Sequence, residues 1–411
     1  MANKRINLKY IKGIRSILNN KNIYNILLLC LSFIFFSVST QKQSINKIKK
    51  LITDSEIIIT IIGTDRQQIL YSEFYLTPSE ILVNGNKINK TDYYVDDLKL
   101  EENNITIRFN ETLTSCYKMF YGCSNIIKIA INKLDFSITN TDMMFAFCSN
   151  LIILNLTNFD TSSVTYMPNM FRDCSNLTSL DLSNFNTSSV KDMGDMFYGC
   201  SNLLFLDLSN FDSSSTTNMG HMFYGCSKLT SLNLRNIKTS SVEYMDNMFN
   251  GCSNLISLDL SNFDASSVKN MNGMFKGCNN LISLNFCNFM ISSTSSMDNM
   301  FYGCNKLISL DLRNIKTSSV ENMDYMFYRC NNLISLDLSN FDTTSTKTMN
   351  NMFEDSINLI SLNLRNFDTT FVEIMTDMFK GCNDYLIYCI DDNSKATKLL
   401  DHIYNSSYIF K

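Results

Sequence analysis

Nine cysteines in this chain stand on one numerical grid. Cys148, Cys174, Cys200, Cys226, Cys252, Cys278, Cys304 and Cys330 are 26 residues apart, and Cys382 lies two intervals further on with Ser356 between. A row of thiols could bind a soft metal, cross-link as disulfides or attack as a nucleophile. No histidine accompanies the row, because the chain has only His221 and His402, and Ser356 takes a place in it without shifting the register. Both facts favour a fourth role, a small and weakly polar core filler beside Met and Phe. Disulfides along the row stay open, since the spacing of stacked strands falls within the usual Cα separation. Metal binding and catalysis are the weakest alternatives. Cys123 is one residue out of phase, and Cys287 leaves the grid and is expected to be exposed.

A second row carries charge. Asn155, Asp181, Asp207, Asn233, Asp259, Asn285, Asp311, Asp337 and Asn363 recur at the same interval, and Arg235, Arg313 and Arg365 stand two residues beyond three of them. Stacked one strand apart, two carboxylates repel by about 1 kcal/mol in water and more where the dielectric falls. The row never sets three Asp together. A parallel row (Asp160, Asn186, Asp212, Lys238, Asp264, Met290, Lys316, Asp342, Asp368) puts a Lys beside an Asp wherever "NFD" becomes "NIK". Compensation of stacked charges on a solvated face explains both rows. The functional alternative is a ligand-facing strip, whose candidate residues are Asp181, Asp207, Arg235, Asp259, Asp311, Arg313 and Asp337. The pairs Asp181/Asp207 and Asp311/Asp337 lack the oxygen-rich loop of a calcium site. No metal, cofactor or catalytic residue is expected: there is no phosphate-binding Gly loop, Ser-His-Asp set or paired-carboxylate arrangement.

Rows need an element that repeats. One unit, Val190 to Ser215, reads "VKDMGDMFYGCSNLLFLDLSNFDSSS". Val190, Met193, Met196, Phe197, Cys200 and Leu203 are three or four apart, which predicts a short helix with one apolar face. Leu206 and Leu208 are two apart, as in a strand, and Phe211 closes the unit before turn-forming Asp and Ser. What one unit buries falls short of the entropy of ordering 26 residues, so units must stack into a solenoid. About eleven units are expected between residues 113 and 382. The Met and Phe columns read as packed core rather than a cofactor box. Tyr198/Tyr224 and Tyr302/Tyr328 are expected on the helix side.

"LTSLDLSNF" (Leu177 to Phe185) fits L-x-x-L-x-L-x-x-N with the Asn displaced by one, and "MFRDCSNL" precedes it. The unit resembles the repeat of BspA-like leucine-rich-repeat surface proteins, in the branch noted in mycoplasmas and protists. The resemblance implies an α/β solenoid, a right-handed coil with a parallel sheet on one face and short helices on the other. It also implies surface attachment or partner binding, and it brings no catalytic residues.

The flanks complete the plan. Residues 1–39 pair a basic start with the apolar run "ILLLCLSFIFFSV", which suits a secretory signal peptide or a signal anchor. Residues 40–112 read as a small β-rich cap, with Asn84-Gly85 as a hairpin signal, residues 113–382 as the solenoid, and residues 383–411 as a last strand and a capping helix starting at Asn393 or Ser394. The formal net charge is −4, and the first 21 residues hold six basic side chains and no acidic one, so the remainder is more acidic still. That argues against nucleic acid as a partner. The expectation is a secreted or cell-surface binding and adhesion protein with a protein or glycan ligand on another cell or matrix, with membrane anchoring through the N-terminal segment as an option. A structural coat or scaffold without a specific ligand is the alternative.

Overall fold

The computed structural model of the chain describes residues 55–405, apart from 90, 91, 99, 135, 136, 288, 392 and 393. The signal segment expected at residues 1–39 therefore lies outside the described residues, as does Asn393. Among the described residues, no helix is long and apolar enough to cross a membrane.

Residues 26 apart do lie over one another. A ladder of parallel bridges joins Ser115, Asn140, Tyr166, Asp192, Asn218, Tyr244, Asn270, Ser296, Asn322, Thr348 and Ile374 in turn, so ten turns of chain separate its first rung from its last. The fold is a β-solenoid.

The cap supplies β1 (Ser55–Ile62), β2 (Asp65–Gln68), β3 (Glu80–Val83), β4 (Asn86–Lys87), β5 (Tyr94–Leu98) and β6 (Glu102–Phe109). The turn between β3 and β4 is Asn84-Gly85, both with positive φ (50° and 82°), as a tight hairpin turn of this residue pair requires. The first coil contributes β7 (Ile126–Lys133) and the second β8 (Ile153–Asn155), in the sheet order β4-β3-β6-β1-β7-β8. Because β1 runs antiparallel to β7, the cap covers the edge that the first coil would otherwise leave open. Further along come β9 (Phe205–Asp207), β10 (Ser231–Asn233), β11 (Ser257–Asp259), β12 (Asp264–Ala265), β13 (Ser283–Asn285), β14 (Met290–Ile291), β15 (Ser335–Asp337), β16 (Ser361–Asn363) and β17 (Ile387–Cys389). A short 3-10 turn (Ser394–Ala396) leads into α1 (Thr397–Asn405), which buries Leu399 and Ile403 and sends Lys398 Nζ to the carbonyls of Thr370 and Val372 at 3.2 and 2.6 Å.

The short helices expected on the face opposite the sheet are absent, and α1 is the only α-helix among the described residues. Each "MF" segment is instead a stacked turn with two left-handed residues four apart: Asp195 and Gly199 (φ 56° and 69°), His221 and Gly225 (56° and 71°), Asn247 and Gly251 (53° and 75°). A right-handed helix needs negative φ throughout, so these positions forbid it. Alternate residues donate their N–H to the next coil: Met193 to Asn218 at 3.0 Å, Asp195 to Gly220 at 3.0 Å, Phe197 to Met222 at 2.9 Å and Gly199 to Tyr224 at 2.7 Å. The backbone between them closes three-residue turns, as in Cys200 N–H to Phe197 O at 3.1 Å. The apolar spacing of three and four is real, and turns rather than helices produce it.

The Met and Phe columns line one continuous core. Eleven phenylalanine rings, from Phe120 to Phe379, stack nearly parallel with centroids 5.5 to 5.7 Å apart. Polar ladders hold the corners. Thr161 Oγ1 donates to Asn186 O at 3.0 Å and accepts from Asn186 N–H at 2.8 Å, and Thr187 and Thr239 repeat the pattern one and three coils on. Where Ala265 and Ile291 replace the hydroxyl, the backbones pair directly as β12 and β14. The side-chain amide of Asn210 reaches the carbonyls of Leu182 and Phe185 in the preceding coil at 2.9 and 3.1 Å. The Leu182 oxygen also accepts the Phe185 N–H of its own turn at 3.0 Å, so the amide adds a second bond there and ties successive corners together.

Candidate functional site

The sheet face carries the acidic and amide row, and every residue of it turns the chain. Asp181 Oδ1 accepts the N–H of Ser183 at 2.9 Å, Asp207 that of Ser209 at 2.8 Å, Asp259 that of Ser261 at 3.0 Å, Asp311 that of Arg313 at 3.1 Å and Asp337 that of Ser339 at 3.0 Å. Asn233, Asn285 and Asn363 do the same to residues 235, 287 and 365. This bond from residue i+2 is the Asx turn, which Asp and Asn both make. It explains why the two types interchange along the row.

Charge is layered on that geometry. The backbone N–H and hydroxyl of Ser183 hold the Asp181 carboxyl below the usual carboxylate range. The hydroxyl and N–H of Ser209 do so for Asp207, with a smaller contribution from the Arg235 charge. Asp337 is lowered first by the Ser339 hydroxyl. Arg313 grips Asp311 with two bonds, Nε to Oδ1 at 2.9 Å and Nη2 to Oδ2 at 2.7 Å, and holds that carboxyl down at about 2. The Arg313 pairing is thus within one coil, whereas Asn285 Nδ2 bonds Asp259 Oδ1 across coils at 3.0 Å. In the parallel row, Lys238 Nζ stands 3.9 Å from Asp212 Oδ1, an exposed pair of the kind that contributes little to stability. Arg235 opens onto a shallow depression of about 540 Å3 that Asp212, Asn236 and Lys238 also line. The structure therefore joins Arg235 to the second row and spreads the remaining candidates along the face.

A further column was not read from the sequence. Ile256, Ile282, Ile308, Ile334 and Ile360 are exposed by 44 to 50% and lie just ahead of the strand segment in five successive coils. Their backbones are laddered, with N–H to O distances of 2.8 Å from Ile282 to Ile256 and from Ile360 to Ile334. The signal was the recurring "LIS", whose middle residue has no buried counterpart. On the turn side, Tyr198 and Tyr224 stack at 4.6 Å with the Arg172 guanidinium 4.1 Å above Tyr198, and Tyr302 and Tyr328 stack at 4.6 Å with Lys276 4.8 Å from Tyr302.

The cysteine row fills the core and donates. Cys200, Cys226 and Cys252 are fully buried, and their thiols point at the carbonyls of Phe171, Phe197 and Phe223 in the preceding coil at 3.1 to 3.2 Å. Ser356 Oγ makes the same bond to Phe327 O at 2.8 Å, which accounts for the substitution. Burial pushes the Cys226 thiol up to about 12, so at neutral pH the free thiol is protonated. Among the described residues no group of three His, Cys, Asp or Glu could hold a metal ion. With a maleimide at pH 8, the folded protein should modify exposed Cys287 within minutes and the row from Cys148 to Cys330 only after denaturation. Peptide mass mapping reads the outcome, and rapid labelling of Cys226 would contradict it.

The segment matches fall on this same repeat. A family profile described as "Mycoplasma protein of unknown function, DUF285" matches residues 114–231, 200–310 and 295–410. These overlapping copies run through the solenoid and into its C-terminal cap, in agreement with the mycoplasma-type 26-residue unit read from the sequence. No curated protein matches the chain. On the strength of three matches covering most of its length, the chain belongs to the Mycoplasma protein family of unknown function DUF285.

Proposed function

We propose that this chain is a binding and adhesion protein, secreted or displayed on the cell surface, whose sheet face holds a protein or glycan partner on another cell or matrix. The stacked column Ile256, Ile282, Ile308, Ile334 and Ile360 carries the reading. A contiguous apolar stripe with polar rows beside it is what interaction faces offer and what free surfaces rarely keep. The Asp and Asn row and the depression at Arg235 supply the charged rim. The L-x-x-L-x-L pattern supports kinship with BspA-like leucine-rich-repeat surface proteins. In this reading the protein does no catalysis, and residues 1–39 direct it out of the cell, with or without staying as an anchor.

The test is attachment to cultured cells and to matrix-coated surfaces. Asp207→Asn, Arg235→Gln and Asp259→Asn together keep each Asx oxygen and remove the charge, so the fold should survive while attachment falls at least tenfold. Undiminished attachment by a folded triple variant argues against this face. Non-saturable self-association without a ligand would point instead to a structural coat.

A further inference from the structure

The cap and the first coil meet around a hollow that the repeat does not explain. It measures about 440 Å3, within the range of small-ligand clefts, and is lined by Tyr71, Glu73, Tyr75, Thr114, Tyr117 and Lys118, with Ser115 beside them. Tyr75 and Tyr117 are 55% and 43% exposed, large aromatic faces left uncovered in the wall of a cavity. The Tyr75 ring is fixed by its hydroxyl, which accepts the N–H of Thr114 at 3.2 Å, and Tyr71 OH donates to Glu73 Oε2 at 3.2 Å.

Lys118 and Glu73 bring one charge of each sign to the hollow. The Lys118 Nζ lies 5.0, 5.2 and 5.6 Å from the ring centroids of Tyr121, Tyr117 and Tyr71, so its neighbours are rings. An aromatic surround of this kind attracts cations, but here the chain's own ammonium already occupies it. An anion brought against those rings meets the Lys118 ammonium, while Glu73 in the same lining accepts hydrogens from hydroxyl groups. Lys118 sits at a left-handed position (φ 56°) that other coils fill with Asn169, Asn247 and Asn299 but also with Met143, His221 and Tyr325.

We infer that this hollow binds an acidic sugar residue of a glycan, a sugar ring bearing one carboxylate. The C–H face of the ring stacks on Tyr75 and Tyr117, the carboxylate pairs with Lys118, and Glu73, Thr114 and Ser115 take the ring hydroxyls. A single ammonium among aromatic walls suits one carboxylate on a ring better than a phosphate, which draws on several donors or a bidentate Arg. The site is distinct from the strip at Asp207, Arg235 and Asp259, so either reading can fail alone.

The full chain is titrated, by ligand-observed NMR, with the methyl glycosides of glucuronic acid and of N-acetylneuraminic acid, with methyl glucoside as the neutral control. At least one acidic glycoside should bind saturably and at least fivefold tighter than the control; the two arms identify which acid fits. Lys118→Asn, which the same phase of other coils already carries, should remove that preference at least fivefold while thermal unfolding stays unchanged. Lys118→Arg should keep it, and Tyr117→Ala should abolish binding of all three sugars. Equal affinity for acidic and neutral sugars, retention of the preference in Lys118→Asn, or no binding by the folded wild-type chain overturns the proposal. Loss of cell attachment in the triple sheet-face variant with sugar binding intact would confirm that the two sites are independent.

Discussion

Excising residues 216–241 should leave a folded solenoid one coil shorter, whereas excising residues 216–228 alone should not. The first deletion joins Ser215 to Val242, and every column closes on the residue 52 positions earlier in place of 26. Phe249 then stacks on Phe197, and the Cys252 thiol, which now bonds Phe223 O, meets Phe197 O instead. The ladder from Ser115 to Ile374 loses one rung and keeps its register. Stability in a solenoid is close to a sum of unit and nearest-neighbour terms, so losing one interior unit removes one unit and one interface. The denaturant slope should fall by roughly a tenth, in proportion to the surface no longer exposed on unfolding.

The half deletion removes the segment containing Met219, Met222, Phe223 and Cys226, all with 0 to 1% exposure, and keeps the strand that follows. Thirteen residues cannot encircle the core, so the coils before and after the cut cannot stack in phase. Each then shows water a bare Met and Phe layer and unpaired N–H and C=O groups. The expected result is two unfolding transitions, strong binding of a hydrophobic dye and protease cleavage near the junction. A half-deleted chain that unfolds in one sharp transition would mean that the repeat unit is not the 26-residue coil.

How far the sequence can be read divides along this same line between period and conformation. The interval of 26 is a count, independent of backbone angles, and it correctly placed Cys200, Phe197, Leu206 and Phe211 in the core and Asp207 outside. Secondary structure on the turn side was misjudged because Met193, Met196, Phe197 and Cys200 have helical spacing, while an alternating right- and left-handed turn brings the same residues inward. The contrary signal lay in the types between them: Asn169, Asp195, Asn247 and Asn299, and four residues later Gly199, Gly251 and Gly303, are residues that tolerate positive φ. Two such residues in each would-be helical turn are incompatible with a helix.

The acidic row shows a different limit. Exposure follows from the strand pattern and charge from residue type, whereas the Ser two residues after Asp181, Asp207, Asp259 and Asp337 marks an Asx turn that Asp and Asn make alike. The isoleucine column was missed because one exposed apolar residue means nothing. Only stacking turns five of them into a stripe. The hollow at Lys118 lies where the first coil breaks the period, and a property of the break cannot be read from the repeat.

Replacing Phe223 by Ala should destabilise the solenoid far more than replacing Cys226 by Ser, and the contrast decides whether the cysteine row is packing or chemistry. The Phe223 ring lies between those of Phe197 and Phe249 with centroids 5.5 Å away on both sides, and none of it reaches solvent. Truncation removes the transfer free energy of the ring and leaves a cavity between two coils that share a rigid ladder, a cost of about 3 to 5 kcal/mol. Two stacking contacts, each worth about 0.5 to 1.5 kcal/mol beyond burial, go with it. The Cys226 thiol makes a 3.2 Å bond to Phe197 O, which also accepts the N–H of Cys200 at 3.1 Å. Serine keeps the donor and nearly the volume, as Ser356 does at 2.8 Å to Phe327 O, so Cys226→Ser should cost no more than about 1.5 kcal/mol. Urea unfolding followed by circular dichroism measures both, and amide exchange at coils 197–249 shows whether the loss is local. If Cys226→Ser proved as costly as Phe223→Ala, the sulfur would be doing something that a hydroxyl in the same place cannot.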